Sequence, residues 1–124
     1  MAYVITGATG HIGNNLARSL IQNHKEVIIL TRRMDRAIEG LHAKFIVGDI
    51  FDDSFLDNHI RENDIVIHLA GVIDIKNNKM DETYKINYEL TKKMVDICMN
   101  KNIERFIYFS SVDCIYKKND EKVV

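Results

Sequence analysis

Short runs of β-branched and other apolar residues alternate along the chain with segments whose apolar residues recur at helical spacing. The runs cover residues 3–6, 26–31, 43–47, 64–69 and 105–110. They are apolar on both faces, as strands buried between two helix layers must be. Between them, residues 12–23 place Ile12, Leu16, Leu20 and Ile21 on one helical face. Residues 54–62 do the same with Phe55, Leu56 and Ile60, and residues 80–100 with Ile86, Leu90, Met94 and Ile97. Residues 34–41 read as a short helix or a turn. The order is β-α-β-(α)-β-α-β-α-β, which predicts an α/β fold: a doubly wound parallel sheet of about five strands joined by right-handed crossovers. Residues 1–116 are expected to form one domain. Residues 117–124, charged and without pattern, are expected to be a frayed tail.

Size and charge narrow the picture. A chain of 124 residues is enough for one hydrophobic core and too short for two. The net charge is -1 with no basic stripe, so nucleic acid is not an expected partner. No apolar run approaches the roughly 20 residues of a membrane span, so no membrane partner is expected either. No signal peptide is apparent, and the cytoplasm is the expected location. Cys98 and Cys114 are too few and too far apart for a zinc knuckle or a disulfide framework, and no metal site is expected. Cys98 reads as a small core residue on a helix and Cys114 as a loop thiol.

The chemistry starts where the first strand meets the first helix. Thr6-Gly7-Ala8-Thr9-Gly10-His11-Ile12-Gly13 carries glycines at a G-x-x-G-x-x-G spacing. Gly7 permits the tight turn off the strand. Gly10 lets backbone approach a pyrophosphate, and Gly13 lets the helix lie close to the strand. The helix N-terminus then offers free N–H groups and the positive end of its dipole to phosphate. This strand–loop–helix context is what a dinucleotide-binding Rossmann fingerprint requires. Gly7, Thr9, Gly10, His11, Ile12 and Gly13 are therefore candidate cofactor-binding residues.

With that loop, the chain resembles the extended short-chain dehydrogenase/reductase superfamily, in its NAD-dependent epimerase/dehydratase branch. Further blocks agree in order: Gly48-Asp49-Ile50, His68-Leu69-Ala70-Gly71, Asn87-Tyr88-Glu89-Leu90-Thr91, and Phe109-Ser110-Ser111 followed by Ile115-Tyr116. The resemblance implies a Rossmann sheet of order 3-2-1-4-5. It also implies that Asp49 and Ile50 flank the adenine. Leu69, Ala70 and Gly71 would line the groove beside ribose and pyrophosphate, and Asn87 would hold a polar contact near the active site. Other roles stay open: Asp49 as a helix or turn cap, Asn87 as a surface amide, His68 as a packed strand-end histidine.

The second strand ends in Thr31-Arg32-Arg33, where an NAD-binding domain carries an acid for the ribose 2′-OH. Guanidinium groups bind a 2′-phosphate that a carboxylate would repel. The expected cofactor is therefore NADP, with NAD possible, unless Arg32 and Arg33 are simply solvated surface charges. In the family, a Tyr-x-x-x-Lys pair on the helix after the fifth strand handles the proton. No such pair follows the fifth strand here, so the chain reads as truncated before the catalytic helix. Tyr88 and Lys92 have the spacing but lie before that strand. The family's Ser or Thr position, counted back from Tyr116, falls on Val112. Ser111 is the adjacent hydroxyl and the candidate catalytic residue. The expectation is a cofactor-binding domain of an epimerase, dehydratase or reductase, inactive by itself. The alternative is a non-enzymatic NADP-binding sensor. The family's helical interface, with the outward stripe Tyr84, Tyr88, Val95 and Met99, also predicts a homodimer.

Overall fold

The structure is a computed structural model, described here for residues 1–70 and 84–109. Five strands form one sheet: β1 (Tyr3–Thr6), β2 (Val27–Thr31), β3 (Lys44–Val47), β4 (Ile65–His68) and β5 (Arg105–Tyr108). The sheet order is β3-β2-β1-β4-β5 and every pairing is parallel, as the alternating pattern predicts. The expected strand end at Ser110 lies outside the described residues, as do Gly71, residues 80–83 of the expected long helix, Ser111, Val112, Cys114, Tyr116 and the expected tail.

Because side chains alternate across a strand, each strand feeds two cores. Ile5, Ile29 and Ile67 point to one face, covered by α1 (His11–Gln22) and α2 (Arg36–Glu39). Val4, Leu30 and Val66 point to the other, covered by α3 (Asp53–His59) and α4 (Thr91–Lys101). The segment 34–41 resolves as a helix because Asp35 caps it, its carboxylate accepting the Ala37 N–H at 2.8 Å, and because Ile38 is fully buried. Cys98 is buried in the α4 core, where desolvation raises its thiol to about 11.

Two features depart from the periodic pattern. Ile12 does not join the core: it is 57% exposed, whereas Gly13 and Ala17 are the buried residues of α1, with Leu16, Leu20 and Ile21 partly buried. Ile12 lies in the first turn of α1, directly after the loop that leaves β1, and no described core residue covers it there. The long helix also begins as a π-helical segment, Lys85–Leu90, that runs directly into α4. Its buried residues Ile86, Leu90, Met94 and Cys98 are four apart. On an α-helix such a run drifts about 40° per step, and the wider turn offsets that drift over the Ile86–Leu90 step.

Two buried polar contacts fix the amino end of the sheet. Asp64, nearly inaccessible, accepts the Ala2 N–H on Oδ1 at 3.0 Å and the Arg61 N–H on Oδ2 at 2.9 Å. A buried carboxylate needs such donors to offset its lost hydration.

Candidate functional site

The chain passes from β1 to β2 and β3 on one side, then returns to place β4 and β5 on the other. Ligands of open α/β sheets bind at such a switch point, outside the carboxyl ends of the strands. A groove of about 220 Å³ opens there. The β1–α1 loop forms its floor through Thr6, Gly7, Thr9 and Gly10. Leu69 and Ala70 form one wall, and Arg32, Ile50 and Ile86 close the remainder.

The three loop glycines do different things. Gly7 has φ +79°, and a Cβ there would lie 2.5 Å from the Leu69 carbonyl carbon. The left-handed turn and the close approach of the β4 exit both demand glycine. Gly13 is buried, and a Cβ would lie 2.3 Å from the Gly7 oxygen, so it serves the packing of α1 on the loop. Gly10 is different: its φ is -79°, and a Cβ would meet only the Gly7 oxygen, at an ordinary 3.4 Å. The protein itself leaves the space over Gly10 open.

That space faces the N-terminus of α1. Gly10 supplies no side-chain cap, and the first turn holds no acidic residue. Among the described residues, the N–H groups of His11, Ile12 and Gly13 find no acceptor. An anion is the partner such a terminus selects, and no described residue fills the space in front of it. Asn14 steadies the loop, its Nδ2 donating to the Ala8 and Ala37 carbonyls at 3.3 and 2.6 Å.

A second hollow of about 420 Å³ adjoins the groove through Thr9 and Arg32, and is bordered by Thr31, Arg33 and Asp35. Thr31 Oγ1 donates to the Arg33 carbonyl at 2.8 Å, which sets the turn carrying both arginines. Both side chains are exposed, and neither has an ion-pair partner among the described residues. The Asp35 carboxylate is engaged in capping α2.

The candidates thus separate by place. Gly7, Thr9, Gly10, Arg32, Ile50, Leu69 and Ala70 line the groove, and Arg33 joins Arg32 at the hollow. His11 and Ile12 are exposed at the first turn of α1, and Gly13 is buried behind them. Asp49 does not line the groove; it accepts the Phe51 N–H at 2.9 Å and so closes the turn that presents Ile50. Asn87 is half-buried on the π-helical segment beside Ile86. Sequence reasoning missed Thr6, whose hydroxyl accepts the N–H groups of both Leu69 and Ala70 at 3.2 Å. It also missed Ile86 as a groove residue. His68 is fully buried, and desolvation lowers its pKa to about 4, so it stays neutral. Tyr88 and Lys92 border a separate groove of about 660 Å³ between α3 and α4. Among the described residues, no cluster of three His, Cys, Asp or Glu side chains is arranged to hold a metal, and no helix is long and apolar enough to cross a membrane.

Comparisons with known proteins agree with this geometry. A UDP-glucose 4-epimerase of Haemophilus influenzae is 31% identical over 137 positions, covering all of this chain and 40% of that protein. Sterol demethylase protein B of Methylococcus capsulatus is 26% identical over 93% of this chain and 36% of that protein. Among solved structures, a UDP-glucose 4-epimerase from Thermotoga maritima superposes with a TM-score of 0.82 at 25% identity, over 98% of this chain and 41% of the other. A UDP-glucuronic acid 4-epimerase from Bacillus cereus, solved with NAD, gives 0.83 at 21% identity over 100% and 44%, a likeness of fold. The chain therefore spans about two fifths of the length of these relatives. Residues 3–123 match the NAD dependent epimerase/dehydratase family, and the chain belongs to it.

Proposed function

We propose that the chain is the dinucleotide-holding part of an epimerase, dehydratase or reductase of this family, and that it prefers NADP(H) to NAD(H). The carrying observation is the hollow beside the groove, where Arg32 and Arg33 stand at the end of β2 with no ion-pair partner among the described residues, and the Asp35 carboxylate beside them caps its own helix. A 2′-phosphate there gains charge-assisted, bidentate hydrogen bonds. The bound nicotinamide would supply hydride chemistry. The residues of this chain bind and orient: the α1 N-terminus holds the diphosphate, Ile50 and Ile86 flank the base, and the Leu69–Ala70 wall fixes the ribose.

Hydride transfer also needs a positioned acid or base. Tyr88 and Lys92 border the α3–α4 groove and not this one, and Ser111 is assigned to substrate polarisation on sequence alone. The 124-residue chain should therefore bind dinucleotide without turnover. Calorimetric titration with NADP⁺ and NAD⁺ tests the reading. NADP⁺ should bind about tenfold tighter or more, the scale of one charged hydrogen bond. The double variant Arg32→Ala/Arg33→Ala should lose most of that preference. Equal affinities, or tighter NAD⁺, would reject the NADP assignment, and binding of neither would reject the dinucleotide reading.

A further inference from the structure

Thr6, His68 and Tyr108 occupy one row across β1, β4 and β5, since Thr6 pairs in register with His68 and His68 with Tyr108. Their parity is that of Val4 and Val66, so the row faces α4. His68 sits at its centre with no accessible surface, its ring stacked on Tyr108 at 5.8 Å. Nδ1 lies 2.6 Å from Thr6 Oγ1, and Nε2 lies 3.0 Å from Thr91 Oγ1.

Counting donors fixes the direction of this chain. The Thr6 hydroxyl oxygen accepts N–H groups from Leu69 and Ala70, and the Leu69 N–H is shared with the Thr6 carbonyl, also at 3.2 Å. With two N–H groups directed at its oxygen and Nδ1 at 2.6 Å, the hydroxyl donates its proton to Nδ1. The neutral ring then carries its proton on Nε2 and donates it to Thr91, at the junction of the π-helical segment with α4. Leu69, Ala70 and Thr6 line the dinucleotide groove, and so does Ile86 of the π-helical segment.

We infer that His68 is a positioning residue of the groove, holding the Leu69–Ala70 wall through the Thr6 hydroxyl while tying that wall to the helix that carries Ile86; this rests on the dinucleotide-binding reading above. His68 itself does not reach the groove, so it acts only through these two hydroxyls. The two ends are not equal. Thr91 can turn its hydroxyl to a carbonyl one helical turn back. Thr6, with two N–H groups directed at its oxygen, turns its proton to Nδ1; without that acceptor the hydroxyl rotates and gives up the Ala70 N–H, while the Leu69 N–H keeps the Thr6 carbonyl.

The test compares His68→Asn, which keeps an acceptor near the Nδ1 position, with His68→Phe, which fills the space and offers none. NADP⁺ affinity is measured by calorimetry on variants shown to be folded by circular dichroism. His68→Asn should bind within about twofold of the parent, and His68→Phe about tenfold more weakly, the scale of one hydrogen bond. Equal affinity in all three proteins, or equal loss in both variants, overturns the inference. Should His68→Phe not fold, the imidazole nitrogen resonances of the parent decide. Proton-free Nδ1, protonated Nε2 and an Nδ1 shift on adding NADP⁺ support the inference; a proton on Nδ1 overturns it. A parent that binds neither NADP⁺ nor NAD⁺ fails at the dinucleotide reading, before any variant is compared.

Discussion

Gly10 and Gly13 stand within one turn of each other and answer to different constraints. Gly13 is required by the fold, since any Cβ would drive into the Gly7 carbonyl at 2.3 Å. At Gly10 a Cβ would meet only the Gly7 oxygen, at 3.4 Å, so the proposed ligand and not the fold asks for glycine there. Gly10→Val should therefore keep stability within about 0.5–1 kcal/mol of the parent and abolish cofactor binding, because the new side chain fills the cradle. Gly13→Val should cost about 3 kcal/mol or more through overpacking against backbone. Thermal melts with parallel titrations separate the two; a folded Gly10→Val protein that binds normally would show that the loop does not hold phosphate. His68 makes a second prediction, about pH. Its folded pKa, about 4, lies below the 6.5 of an unfolded histidine. As pH falls from 6.5 towards 4, the unfolded chain takes up a proton that the native state refuses, so stability falls through that window and levels off below it. The full effect is about 3 kcal/mol. The slope should shrink in His68→Asn, as measured by denaturant unfolding at pH 7 and pH 4.5; an unchanged slope would mean that His68 charges readily in the native state.

At the scale of elements, what the sequence revealed follows from what periodicity measures. Strands such as β1 and β4 are short, apolar on both faces and flanked by polar breaks, so their positions are legible to within a residue or two. Helix burial is legible only where a sheet lies beneath the helix. Ile12 obeys the periodicity of α1 yet is exposed in its first turn, and no sequence pattern marks where along a helix the core begins. The π-helical segment was equally hidden, because Ile86, Leu90, Met94 and Ile97 satisfy an ordinary helical stripe. The glycine loop was readable because its constraints are local. The role of Thr6 was not: its partners Leu69 and Ala70 lie 63 and 64 residues away in sequence, and only the β1–β4 pairing brings them together. Lys93 is similar, donating to the Phe51 carbonyl at 2.6 Å and pairing with Asp53 at 2.9 Å, which anchors the Ile50 turn to α4.

Across the whole molecule, one surface stands out. Tyr84 and Tyr88 stack at 5.1 Å and are 56% and 53% exposed, and Met99 on the same helix is 76% exposed. With half-buried Val95 they form an outward apolar stripe beside the α3–α4 groove. Stripes of this kind favour association. Sedimentation velocity should show a concentration-dependent dimer that Tyr84→Ser/Tyr88→Ser returns to monomer; a single monomeric species at high concentration would count against it. The parallel sheet has a further consequence. Every strand points the same way, so the groove lies at one pole and the Asp64 clamp on the Ala2 N–H lies at the other, separated by the length of β1, about 13 Å. A dye or surface linker attached at Met1 is therefore held at the pole remote from the groove by a fixed hydrogen bond. A chain immobilised through that residue presents its binding face outward, so on-surface and free-solution affinities should coincide.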